Sequence, residues 1–93
     1  ENYSWSNNKA QVDMVIDRAD NWVNLCEMKI YNDEFTVDAG YMKKLEIKKR
    51  EFKSDKAKKK GIYITMLTSY GVKENKYSAA VVDHNLTIDC LFL

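Results

Sequence analysis

The sequence predicts a small α/β domain: a mixed central sheet, elements in the order β-β-α-β-β, and a short C-terminal helix. Three observations carry this expectation. Two runs rich in β-formers, Gln11–Asp17 and 22–30, flank a short polar segment at 18–21 of the kind that joins hairpin strands. A lysine-rich stretch over 39–56 places its apolar residues near helical spacing. The run Gly61–Thr68 is apolar nearly throughout, as an internal strand would be.

Residues 1–9 are polar and hold Asn7-Asn8, which predicts a loop or frayed end, with Trp5 packing back. The first strand is expected at 10–18. Its even positions, Val12, Met14 and Ile16, are apolar and assigned to the core; Gln11, Asp13, Val15 and Asp17 are assigned to a site or to solvent. The second strand is expected at 22–31. Trp22, Cys26, Met28 and Ile30 form one side, and Val23 and Leu25 are apolar on the other. A strand apolar on both sides near its start suits the centre of an α/β sheet. Glu27 and Lys29 interrupt that pattern at the strand's end, where ligand sites of open sheets tend to lie.

Residues 32–38 form a connector, and Asp38 is placed to cap the helix at Ala39–Lys56. Tyr41, Leu45 and Phe52, with Met42 beside them, give that helix its apolar side. Lys43, Lys44, Lys48, Lys49, Arg50, Lys53 and Lys56 make the rest strongly basic. A third strand at Gly61–Thr68, a connector over 69–76, a fourth strand at 77–83 and a terminal helix at 86–93 capped by Thr87 complete the expectation.

Ninety-three residues make one domain with a single modest core, and 45% hydrophobic content suits a globular chain. The net charge of +1 matters less than its distribution along the basic helix. No window is long and apolar enough to span a bilayer, and no signal sequence opens the chain. The opening Glu1 in place of Met fits an excised domain. Cys26 and Cys90 lack zinc-site spacing and read as buried reduced thiols, which points to the cytoplasm. Cys26, opposite in parity to Glu27, is assigned to the core. His84, between Asp83 and Asn85, reads as a turn residue.

The chemistry concentrates at Asp13, Glu27 and Lys29. Residues two apart on a strand share a face, so Glu27 and Lys29 project together, and the hairpin brings Asp13 beside them. Two carboxylates and an amine at one point can hold a hard divalent cation and help activate a water. The plain alternative is an exposed hairpin with cross-strand ion pairs.

An Asp on one strand followed by Glu-x-Lys on the next resembles the core of the PD-(D/E)xK, restriction-endonuclease-like nucleases. The phrases 11–18, 25–29 and 70–77 resemble more narrowly the C-terminal domain of a prokaryotic AAA+ ATPase family. The resemblance implies a truncated restriction-endonuclease-like core attached to an ATPase domain, with ATP bound only in that attached domain. It implies Asp13 and Glu27 as ligands of Mg²⁺ or Mn²⁺, Lys29 as the group that orients or deprotonates the attacking water, and Gln11 as a contact to that water or to phosphate. The sequence departs from the pattern in having Val12 before Asp13, and only residues 1–10 stand where the family places an upstream helix with an acidic residue. The fragment alone is therefore expected to be a poor nuclease. Lys44, Lys48, Lys49 and Lys53 are expected to contact DNA or RNA through the backbone, without base readout. Two other classes stay open: a non-catalytic regulatory domain of the ATPase, and a homo-oligomer formed through an exposed sheet edge.

Overall fold

The computed structural model describes residues 2–88. The elements are strands β1 (Asn2–Ser6), β2 (Gln11–Asp17) and β3 (Trp22–Lys29), helix α1 (Ala39–Lys56), strand β4 (Gly61–Thr68), helix α2 (Lys76–Val81) and strand β5 (His84–Thr87). They form a five-stranded mixed sheet in the order β1-β2-β3-β4-β5. The first two pairings are antiparallel and the last two parallel, so β3 is central and antiparallel on one side only.

The β2–β3 turn forms as expected. Arg18 N–H donates to the Trp22 carbonyl at 3.0 Å, and Asn21 takes the left-handed φ of 67° that Asn tolerates. The α1 bounds and its cap also follow the sequence: Asp38 Oδ1 accepts from Tyr41 N–H at 2.8 Å. Each parallel pair needs a crossover, and right-handed crossovers advancing in one direction put their helices on one face of the sheet. Accordingly α1 and α2 lie together, and the core between them and the sheet holds Val12, Val15, Val23, Leu25, Leu45, Phe52, Ile62, Ile64 and Met66. On the opposite face Trp22, Met28 and Leu86 are among the exposed large apolar side chains.

Five expectations are corrected. The N-terminal stretch is a strand rather than a frayed loop. Tyr3 and Trp5 pair with β2, and Asn7 Oδ1 closes the β1–β2 turn by accepting from Lys9 and Ala10 N–H at 2.8 Å each. Trp5 does pack back, edge-on to Phe52 with ring centres 5.2 Å apart. The predicted fourth strand at 77–83 is instead α2, because Asn75 and Ser78 form a reciprocal capping box that outweighs the β-branched Val81-Val82 pair. The predicted terminal helix is replaced over its first residues by β5, which pairs with the free edge of β4; residues 89–93 of that prediction, Cys90 among them, lie outside the described residues. His84 begins β5 and meets the Tyr63 ring instead of turning the chain.

The fifth correction concerns strand faces. Between the pairs Tyr3–Val15 and Trp5–Val12, β1 has one residue and β2 has two, a bulge at Asp13 and Met14. It brings Val12 and Val15, three apart, to the same core, both fully buried. On β3 the core-facing set is Val23, Leu25, Glu27 and Lys29, the opposite of the assigned parity. Cys26 is buried on the other face, beside Met14, Met28 and Leu67.

Phe52 is 1% exposed and joins α1 to β1 through Trp5. Phe52→Ala is expected to cost about 3–5 kcal/mol, from lost transfer energy plus a cavity. Urea denaturation followed by Trp fluorescence measures this.

Candidate functional site

The β2–β3 ladder joins Met14–Asp17 to residues 23–26 and goes no further toward the end remote from the turn. Beyond it the two carboxylates take over the bonding. Glu27 Oε2 accepts from Asp13 N–H at 3.1 Å, and Asp13 Oδ2 accepts from Met28 N–H at 3.1 Å. Side-chain oxygens thus stand where backbone carbonyls would, and the bulge at Asp13 aims its carboxylate into the gap, a role bulges often play near sites.

An open cavity of about 390 Å³ lies at this end of the sheet, between β2, β3 and α1. Of the eight residues singled out from the sequence, Gln11, Asp13, Glu27, Lys29, Lys44 and Lys48 line it. The structure adds Lys9, carried there by the β1–β2 turn. Sequence reasoning missed Lys9 because a frayed end has no fixed neighbours; the signal was the Tyr3/Trp5 alternation before a polar Asn-Asn-Lys turn.

Lys48, Lys49 and Lys53 do not share one outward face. Lys53 Nζ donates to the carbonyls of Ala57 at 3.4 Å and Lys60 at 2.6 Å, closing the end of α1. Lys49 lies on the side of α1 near Val81 of α2. Lys48 turns inward and pairs with Glu27 Oε1. The positions Tyr41, Leu45, Lys48 and Phe52 recur at four, three and four residues, so Lys48 sits in the inward stripe, where a charge is rarely placed without a partner.

Glu27 is 3% exposed, and its two oxygens are held by the Lys48 ammonium and the Asp13 amide. An ionised carboxylate this deep is tolerable only when paired and hydrogen-bonded in this way. Asp13 is exposed and borders the cavity rim. Lys29 makes no ion pair among the described residues. Its ammonium lies 5.3 Å from the Tyr41 ring centre and 5.9 Å from that of Phe35, a cation–π setting. The Tyr41 hydroxyl is buried with no hydrogen-bond partner among the described residues. Burial first, then the charges of Glu27 and Asp13, push its pKa well above the ordinary 10.0. Burial, then Glu27, raises the Cys26 thiol likewise.

Asp13 and Glu27 suit a hard cation in the manner usual for Mg²⁺, which takes one or two carboxylates and completes its shell with water and phosphate oxygens. Among the described residues no cluster of three or more His, Cys, Asp or Glu side chains surrounds a common point. Among them, too, no helix is long and apolar enough to cross a membrane. No family model, curated protein or solved structure matches the chain.

Tyr41→Phe removes a hydroxyl that satisfies no partner among the described residues. Stability at neutral pH is therefore expected to hold or rise by up to about 1 kcal/mol. The raised hydroxyl pKa contributes stability that is full below pH 10 and is lost as pH climbs through the folded value, since above 10 the unfolded state releases the proton first. Urea titrations between pH 8 and 11 should show a shallower alkaline loss in Tyr41→Phe than in the parent.

Proposed function

We propose that this domain is a PD-(D/E)xK-like, divalent-metal-dependent module that engages the phosphodiester backbone of DNA or RNA, attached to an AAA+ ATPase that binds ATP elsewhere. The observation that carries it is the convergence of Gln11, Asp13, Glu27, Lys29 and Lys44 on one open cavity at the end of the central strand pair. The restriction-endonuclease-like core and the ATPase partner come from the resemblance of the Asp13 and Glu27-Met28-Lys29 phrases; the mixed α/β sheet accommodates them.

In this proposal Asp13 and Glu27 hold Mg²⁺ or Mn²⁺. Held there, such an ion would supply Lewis-acid polarisation of a phosphoryl oxygen and a lowered pKa of water. Lys29, which lines the cavity and makes no ion pair among the described residues, orients the attacking water and offsets negative charge building on phosphate. Gln11, at the rim, contacts that water or a non-bridging oxygen. Lys9 and Lys44 attract the backbone at the mouth, with no base being read.

One observation favours a second function, a non-catalytic regulatory domain of the ATPase: the ammonium of Lys48 already neutralises Glu27. Such a domain keeps the basic cavity for binding and needs no metal.

Fluorescence anisotropy with single- and double-stranded DNA and RNA, over a salt series with and without Mn²⁺, separates the two. Lys9, Lys29 and Lys44 give an expected log–log salt slope of about −2 to −3 on duplex, and Lys44→Glu should reduce its magnitude by about 1. Lys49→Glu and Lys53→Glu should change it less, because neither lines the cavity. Mn²⁺ should strengthen binding in the parent and not in Asp13→Asn. Salt-sensitive binding indifferent to Mn²⁺ identifies the regulatory domain, and no binding at low salt rejects both.

A further inference from the structure

Glu27 and Lys48 meet from core-facing positions on two different elements. Glu27 continues the buried set Val23 and Leu25 on β3, and Lys48 continues Tyr41 and Leu45 on α1. Well-packed apolar residues at two such positions usually serve stability as well or better, so the pair is poorly explained by stability alone. Its oxygens divide the work. Oε2 is tied to the Asp13 amide, and Oε1 takes the Lys48 ammonium at the wall of the cavity that Asp13 also borders. A cation shared by Asp13 and Glu27 would need the oxygen that Lys48 now holds. Among the described residues Lys48 is also the only ion-pair partner of either carboxylate. Lys48 is 19% exposed on a flexible four-carbon stem, so it can withdraw along the cavity wall without unpacking α1.

We propose that Lys48 is the resident counter-cation of this site: its ammonium and a divalent cation occupy Glu27 in turn, and the lysine displaced by the ion turns to phosphate in the same cavity. This rests on the metal-binding function proposed above. The pair holds the Glu27 carboxylate and the strand ends in place while no metal is bound. Loading the metal then exchanges one positive charge at Glu27 for two and releases a third to the mouth of the cavity. Metal and nucleic-acid backbone would therefore bind cooperatively, because each favours the state with Lys48 displaced.

The test is Mn²⁺ titration of the whole chain, read by the electron paramagnetic resonance of free Mn²⁺, for the parent, Lys48→Gln and Asp13→Asn. Thermal melts confirm that each is folded. Gln at 48 keeps a hydrogen-bond donor for Glu27 without the competing charge. It should bind Mn²⁺ about tenfold tighter than the parent, the effect of removing one unit charge close to the ion. In the parent, the Lys48 side-chain NMR signals should move to those of a solvated lysine on saturation with Mg²⁺, and should stay fixed in Asp13→Asn. Equal or weaker Mn²⁺ binding by folded Lys48→Gln, with the parent binding normally, overturns the exchange and leaves the metal site standing. Lys48 signals unmoved at saturating Mg²⁺ do the same even where Lys48→Gln fails to fold. If none of the three binds Mn²⁺, the metal site and the exchange fall together.

Discussion

Glu27 occupies a core position on the central strand, and its carboxylate cannot be left there alone. Removing a carboxylate from water costs several kcal/mol even after relaxation, so the surrounding elements must supply a charge and hydrogen bonds. Lys48 crosses from α1 to give the charge, and the Asp13 amide gives the bond. That second bond uses a donor which would otherwise continue the β2–β3 ladder. The strands are therefore joined at this end through side chains, with Asp13 returning the favour to Met28. The gap between the strands, the aim of Asp13 and the inward turn of Lys48 all follow from one buried charge.

The two crossovers set the rest of the layout. Because β3–β4 and β4–β5 step in the same direction, both helices fall on the side that carries Glu27. The site is consequently walled by α1, whose Lys44 and Lys48 line it, and lies at the end of the central strand, where open sheets commonly place ligands. The bulge in β2 lets this happen without loss of core: Val12 and Val15 stay buried although Asp13 and Met14 intervene.

The site brings tethered cations and two carboxylates to one cavity. Lys9, Lys29, Lys44 and Lys48 line it together with Asp13 and Glu27, and among the described residues the Lys48–Glu27 contact is the one ion pair between the two sets. Lys29 stands apart from that pair. Resting on the faces of Tyr41 and Phe35, it keeps its charge oriented into the site without spending its donors on Asp13 or Glu27. The Tyr41 hydroxyl is a buried polar group with no partner among the described residues, an imbalance of the kind functional sites tolerate and ordinary cores do not.

By itself the sequence determined the elements whose signals are local. The β2–β3 hairpin, the cap and span of α1, and the internal strand β4 were legible because turn chemistry, capping and apolar periodicity act over a few residues. The meeting of Asp13, Glu27 and Lys29 at one cavity was legible for the same reason, through strand parity and a short turn. Three things needed the tertiary structure. Residues 2–6 become a strand only because β2 offers an edge, and 84–87 become a strand only because β4 does. The face of β3 that is buried depends on where the crossovers put the helices, so the parity was visible but its orientation was not. The role of Lys48 depended on Glu27 lying opposite it: on the helix alone it is one lysine among many, and only the desolvated carboxylate 21 positions away makes it the residue that holds the site together. Local backbone chemistry is written in consecutive residues, whereas the burial of a charge is decided by whatever the folded chain brings against it.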